Sequence, residues 1–374
     1  MPAGLYIHIP FCQKKCGYCN FYSVTSLALI REFITALYKE MELYRRTFDS
    51  VPFDTIYLGG GSPSVLSAKQ IQEILNHVRN TFDFAADSEI TIEINPGDID
   101  LLYLQDLRGL GINRINIGVQ SFNENILKFL VRRHSRQAAL DAVAAAKRAG
   151  FDNIGIDLIY GIPGQAMTVW METLNAVLSF MPEHLSCYQL TIEPDTPLGK
   201  KSAEGEFVLP DNDMQYDFFM KTSEILEAAG YVHYEVSNFA KDMDRASRHN
   251  QKYWDHTPYL GLGPAAHSFQ DNQRWWNHQS LERYLENLKV GTPPVEDSET
   301  LTNEQLQLET LLLGLRTKKG INLERYKERF GRDLLKEKSN VIADLDKAGL
   351  IKIENGCLRP TPAGLAVADS LSLI

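Results

Sequence analysis

The chain lacks any apolar run approaching the roughly 18 consecutive positions a bilayer helix needs. Its opening, MPAGLYIHIPF, has neither a basic leader nor a long apolar segment. A cytoplasmic location with no integral membrane segment is the expectation. Cysteine is scarce as well. Five cysteines in 374 residues, an odd number with three crowded together, do not resemble a disulfide framework, and a reducing compartment would leave them as thiols or thiolate ligands. Net positive charge is also missing. Lys and Arg number 38 against 48 Asp and Glu, a formal net charge of -10, which disfavours a general phosphate-binding surface and a nucleic-acid partner. With 44% hydrophobic and 23% charged residues, the remainder is ordinary globular sequence, long enough for a sizeable core and more than one domain.

Three of the five cysteines fall in the stretch IHIPFCQKKCGYCNFYS, as Cys12, Cys16 and Cys19. Cys187 and Cys357 lie far downstream in unrelated contexts. A structural zinc site takes four protein ligands, and His8 is the nearest candidate for a fourth, although it sits inside the strand-like YIHIP. Thiolates are also the usual ligands of iron–sulfur clusters. In a four-iron cubane, three thiolates hold three irons and leave the last one open to a small chelating molecule, as a catalytic site requires.

The first two-thirds of the chain alternate β-branched runs with amphipathic helical stretches. Strands are predicted at 5–9, 55–59, 89–95, 114–120, 153–161 and 184–192. Leu27, Ile30, Phe33, Ile34, Leu37 and Met41 recur at helical spacing after the cysteines, and SAKQ at 67–70 reads as a capping box. Ser135 opens a further helix that Gly150 closes. This order predicts an α/β fold, a partial (β/α) barrel spanning residues 1–235, with chemistry at the C-terminal ends of the strands. A connecting segment is expected over 236–300. From 301 to 374 the pattern reads as consecutive helices and a hairpin turning at Asn355-Gly356, a small winged-helix-like domain. Residues 303–374 carry 12 Lys and Arg against 10 Asp and Glu, so packing or docking is expected of that domain rather than DNA contact.

CxxxCxxC directly after the first strand resembles the signature of the radical S-adenosylmethionine (SAM) superfamily, and the likeness runs over nearly the whole chain. GGGSPS at 59–64 is similar to the glycine motif that holds the methionine amine of SAM. Glu93 in EINPGD, Gln120 in GVQSF, Arg132 in LVRRH and Asp157 in GIDLIYGIPGQ match SAM-contacting positions of the oxygen-independent coproporphyrinogen III oxidase-like family. So do Tyr6, Tyr18, Gly60, Gly61 and Ser62. The resemblance implies a 4Fe-4S cluster on Cys12, Cys16 and Cys19. It also implies carboxylates that accept from the ribose hydroxyls and amine of SAM, and an Arg132 that pairs with its carboxylate.

Two departures separate the chain from the porphyrinogen-decarboxylating members of that family. Phe21 stands where they carry a fourth cysteine, and their N-terminal extension has no counterpart before Cys12. HNQKYW, His249 to Trp254, instead resembles the HNxxYW signature of HemW-type heme chaperones. That likeness implies heme as a third bound group, with His249 as axial ligand and Tyr253 and Trp254 packed on the macrocycle. His267 in GLGPAAHS is an alternative ligand, and a turn packed on the barrel mouth is the structural alternative for His249 and Asn250. The implied function is delivery of heme to apo-hemoproteins, respiratory enzymes among the candidates, with a homodimer as one allowed assembly. The alternative functions are oxidative decarboxylation of coproporphyrinogen III and, in a third class, a zinc-stabilised DNA-binding regulator.

Overall fold

The computed structural model of the chain describes residues 2–49 and 51–371. Six parallel strands stand side by side in chain order: β1 (Ala3–Ile9), β2 (Phe53–Gly60), β3 (Phe84–Ile94), β4 (Arg114–Gln120), β5 (Ile154–Tyr160) and β6 (His184–Gln189). All six coincide with predicted strands. β3 begins earlier than expected because Phe84 pairs with Phe53, and β6 stops before Leu190.

Their composition explains the curvature of the sheet into a partial barrel. Ile115, Ile117 and Val119 of β4 face the helices and are fully buried, while Arg114, Asn116 and Gln120 alternate with them on the inner face. β3 repeats the pattern, with Ile90, Ile92 and Ile94 outside and Glu89, Thr91 and Glu93 inside. The outer face packs against helices Ile30–Tyr44, Ala68–Thr81, Arg136–Arg148 and Met167–Leu178 in one continuous core. Caps form where the sequence places them. Ser67 and Gln70 complete the capping box, Ser135 Oγ accepts the Ala138 N–H at 3.2 Å, and Gly150 ends its helix at φ +88°. Leu27, by contrast, precedes the first helix and is exposed.

The segment expected to be a connection is built into the same sheet. β7 (Val232–Glu235) and β8 (Asn238–Ala240) extend it beyond β6. β9 (Tyr259–Leu262) pairs parallel with β1, and β10 (His267–Gln270), β11 (Gln273–Asn277) and β12 (Val295–Thr300) continue antiparallel from it. The result is a twelve-stranded open sheet with β1 near its middle. No structural break falls between residues 235 and 236, because β7 and β8 form one hairpin across that point.

Beyond residue 301, helices Asn303–Gly314, Leu323–Phe330 and Ser339–Lys347 pack with β13 (Ile321–Asn322), β14 (Ile351–Glu354) and β15 (Cys357–Pro360) around a core of their own. Asn355 and Gly356 both adopt positive φ at the hairpin turn, as a type I′ turn demands. This winged-helix-like unit docks on the barrel through backbone bonds from Val236 to Arg316 and from Lys318 to Tyr234. An Arg274–Glu309 ion pair adds to the contact. No helix among the described residues is long and apolar enough to cross a membrane.

Candidate functional site

The cysteine loop leaves β1 at the C-terminal rim and is latched at its base. Cys12 N–H donates to the Val24 carbonyl at 3.0 Å, and Val24 N–H donates to Pro10 at 2.7 Å. Its tip is held between two other rim loops, since Gly17 N–H donates to Leu130 and the Gly17 carbonyl accepts from Leu198. Cys12, Cys16 and Cys19 are half-buried and all face one cavity of about 570 Å³, a size suited to a small-molecule cofactor. Burial pushes the Cys12 thiol up to about 11 and raises Cys19 as well, so both stay protonated until a positive centre draws the proton off. Arg132 Nη1 already donates to Cys16 Sγ at 3.1 Å.

His8 does not join them. Its ring is buried and bonded to Tyr22 O at 2.8 Å and Tyr6 Oη at 3.1 Å, beneath the loop rather than in the cavity. Among the described residues, no three Cys, His, Asp or Glu side chains converge as a single metal ion would require. Three thiols on separate corners of a cluster need no such convergence, so the donor set suits a cluster better than zinc.

The expected SAM contacts gather around the same cavity. Gly60, Gly61, Ser62, Glu93, Gln120, Arg132, Asp157 and Tyr18 all line it. Two of the glycines are required. Gly60 has φ +103° with the His8 ring where a Cβ would be, and a Cβ on Gly61 would lie 2.7 Å from the Phe11 carbonyl oxygen. Glu93 Oε1 accepts from Tyr57 Oη at 2.8 Å, and burial holds this carboxyl up to about 7. Asp157 Oδ2 accepts from Asn116 Nδ2 at 2.6 Å, and burial raises it too.

Several polar atoms on this wall are buried without partners: Gln120 Oε1, Asp157 Oδ1, Arg132 Nε, Arg114 Nε, Asn116 Oδ1 and His184 Nδ1. Buried polar groups are normally paired, so such a concentration marks a surface built to receive a polar ligand. Arg114, Asn116, His184 and Ser186 were not singled out from the sequence. Their signal was the period-two alternation of polar and apolar residues within β4 and β6, which a barrel turns into a polar lumen.

Four expected site residues lie off the cavity: Tyr6, His249, Tyr253 and Trp254. The HNQKYW residues sit on helix Arg248–Trp254, capped by Ser247, and this helix closes the opposite, N-terminal end of the half barrel. Arg248 and Lys252 pair with Asp54 at the start of β2, and Glu89 of β3 accepts the backbone N–H of Arg248 and of His249. His249 is 1% exposed. Its Nδ1 bonds Thr55 Oγ1 and its Nε2 bonds Tyr253 Oη, both at 2.8 Å. Its ring stacks on Tyr57 at 5.1 Å. Burial lowers its pKa to about 3, with Lys252 and Arg114 adding to the effect, so the ring is neutral. Trp254 lies under the Arg316 guanidinium at 5.7 Å. The expectation that His249 offers a ring nitrogen to heme iron is therefore not met in this arrangement, because both nitrogens are engaged and the side chain is enclosed. Asn250 alone of this motif reaches the cavity, at its floor.

Comparison with known proteins agrees with this architecture. The Radical SAM superfamily model matches residues 6–177, and the HemN C-terminal domain model matches 301–367. The chain is 37% identical to the heme chaperone HemW of Synechocystis sp., over 86% of this chain and 79% of that one. It is 33% identical to the heme chaperone HemW of Bacillus subtilis, over 98% and 97%. Coproporphyrinogen III oxidase (HemN) from Escherichia coli, described as a radical SAM enzyme, superposes with a TM-score of 0.86 over 100% of this chain and 89% of that one. At 24% identity that likeness speaks to fold. Identity of 33–37% over 79–97% of these bacterial chaperones places this chain in the HemW family.

Proposed function

We propose that the protein is a heme chaperone that holds one 4Fe-4S cluster and SAM at the barrel rim and hands heme to apo-hemoproteins. The unpartnered buried polar atoms that share one cavity with the three thiols carry the cofactor part of this reading. The whole-length likeness to HemW chaperones supports heme as cargo. Cys12, Cys16 and Cys19 would hold the cluster, which when bound supplies an open iron and single electrons. Around it, Gly60 and Gly61 let the backbone approach the methionine end of SAM, and Arg132 neutralises its carboxylate. Asp157 and Glu93 accept from its hydroxyls. With its proton affinity raised by burial, Glu93 can also donate.

Phe21, where a porphyrinogen-converting relative carries a further cysteine, is 66% exposed and brings no polar group to the cavity it borders. The test uses cluster-loaded protein with reductant and SAM. Charged with heme, it should transfer heme to an apo-hemoprotein, followed by the Soret band of the recipient. Given coproporphyrinogen III, it should form no protoporphyrinogen IX above a control without protein. Repeated turnover to protoporphyrinogen IX, or no heme binding at all, would overturn the reading.

A further inference from the structure

A heme iron needs an imidazole nitrogen that is both free and reachable. Of the nine histidines, eight are buried or half-buried and have at least one partner, although His184 Nδ1 and His134 Nδ1 are enclosed without one. His8, His134, His184, His233 and His249 spend ring nitrogens on internal hydrogen bonds. His256 and His278 face Glu309 and Glu296, and His77 stacks on Tyr38. His267 differs from all of them. It is exposed, and neither ring nitrogen has a hydrogen-bond partner among the described residues.

Its surroundings suit a flat apolar ligand. The imidazole lies against the Trp276 indole across the β10–β11 ladder, with centroids 5.7 Å apart and planes 24° from parallel. The indole fixes the ring and offers an aromatic wall beside it. Tyr6 pairs with Gly261, and a Cβ on Gly261 would lie 2.1 Å from the His267 carbonyl oxygen, so the His267 backbone crosses the face of β9 beside Tyr6. His267 shares its face of β10 with Phe269, whose ring meets Tyr259 of β9. It also stands at the rim, because β9 ends against β1 there: a Cβ on Gly263 would lie 2.4 Å from the His8 carbonyl oxygen. The cysteine loop reaches the same edge, where Tyr22 Oη accepts the Leu281 N–H at 2.6 Å just past β11. Phe21, one residue earlier, presents an exposed ring.

We infer that heme binds at this rim with His267 as axial ligand and Trp276 beside the macrocycle, outside the cavity that the three thiols line. His249 supports the cavity floor instead. This rests on the reading of the protein as a heme binder and names the site within it.

The experiment is a heme titration of cluster-loaded full-length protein, read by the Soret band and by iron spin state. His267→Ala should shift the Soret band and weaken binding by about tenfold or more, and added imidazole should restore the wild-type spectrum. Trp276→Ala should weaken binding while keeping the band position. His249→Ala should keep the wild-type Soret band in whatever fraction stays folded, and the spectrum reports only on bound heme. Wild-type spectra in His267→Ala, or loss of the band only in His249→Ala, would overturn the assignment while leaving heme binding intact. Failure of the wild type to bind heme would instead remove the functional reading beneath it.

Discussion

The two ends of the half barrel are both polar, yet they are finished differently. At the rim, a carboxylate, an arginine and an amide (Asp157, Arg132 and Gln120) carry buried atoms without partners, and three thiols stand apart around an open cavity. At the floor, His249 has both ring nitrogens bonded, its backbone N–H is taken by Glu89, and Lys252 and Arg248 are paired with Asp54. Unsatisfied buried groups cost about 1–3 kcal/mol each, so they persist where a ligand is expected to complete them. The bonds around His249 are complete, which makes that residue architecture, while Trp254 Nε1 on the same helix is buried without a partner. The contrast separates two motifs that look equally functional as strings of letters.

The sharpest test of the contrast removes the thiols. Cys12→Ala, Cys16→Ala and Cys19→Ala should each lose essentially all cluster iron, measured with sulfide and visible absorbance after anaerobic reconstitution. Cys187→Ala and Cys357→Ala, in the β6 core and the winged-helix unit, should retain it. A cluster surviving the loss of Cys16 would break the rim assignment.

Arg132→Ala should come next, lowering SAM affinity by roughly 10- to 100-fold in calorimetric titration, since hydrogen bonds to charged groups contribute about 1.5–3 kcal/mol. At the floor the expected effect changes kind. His249→Ala should cost about 2–4 kcal/mol of unfolding free energy in urea, from two buried hydrogen bonds and a cavity under Tyr57. Its loss of SAM affinity should be smaller than that of Arg132→Ala. The reverse ranking would dissolve the distinction between the two ends.

The smallest effect concerns Glu93, which joins the two regions because its partner Tyr57 stacks on His249. Burial raises this carboxyl to about 7, so the folded state holds its proton more tightly than the unfolded chain does. Its stabilising contribution is full below pH of about 4.5 and is lost as pH rises through about 7. Glu40 and Glu235 are raised to about 7 in the same way, while the buried histidines act in the opposite direction. The difference between wild type and Glu93→Gln therefore isolates the effect. Without SAM, wild type should lose on the order of 1–3 kcal/mol relative to the variant between pH 4.5 and 7. A flat difference curve would mean that Glu93 is ionised.

Much of this was legible before folding. Ser67 with Gln70, Ser135 with Gly150, and Asn355-Gly356 are local signals whose chemistry acts within a few residues, and each formed as read. The six parallel strands were legible because their apolar faces are regular. The lumen residues were harder. Arg114, Asn116 and His184 are unremarkable letters until closure of the sheet turns their face inward. Residues 236–300 were misjudged as a connection for a related reason: β9 joins β1 from more than 250 positions away, and no local pattern announces such a pairing.

The sequence by itself determined the ligand chemistry at the rim, because three thiols within one short loop must act together wherever the loop goes. It also determined the element order, because side-chain periodicity is a local property. The tertiary structure alone decided which of His249 and His267 is exposed with its ring nitrogens open. His249 and His267 are similar in sequence context, each beside aromatic residues and close to the same strand. One was enclosed between Thr55, Tyr57 and Tyr253, and the other was left at the edge of β10 against Trp276. Availability of a ring nitrogen depends on what packs around it, and in both cases those neighbours come from strands or helices brought together only by the closing of the sheet.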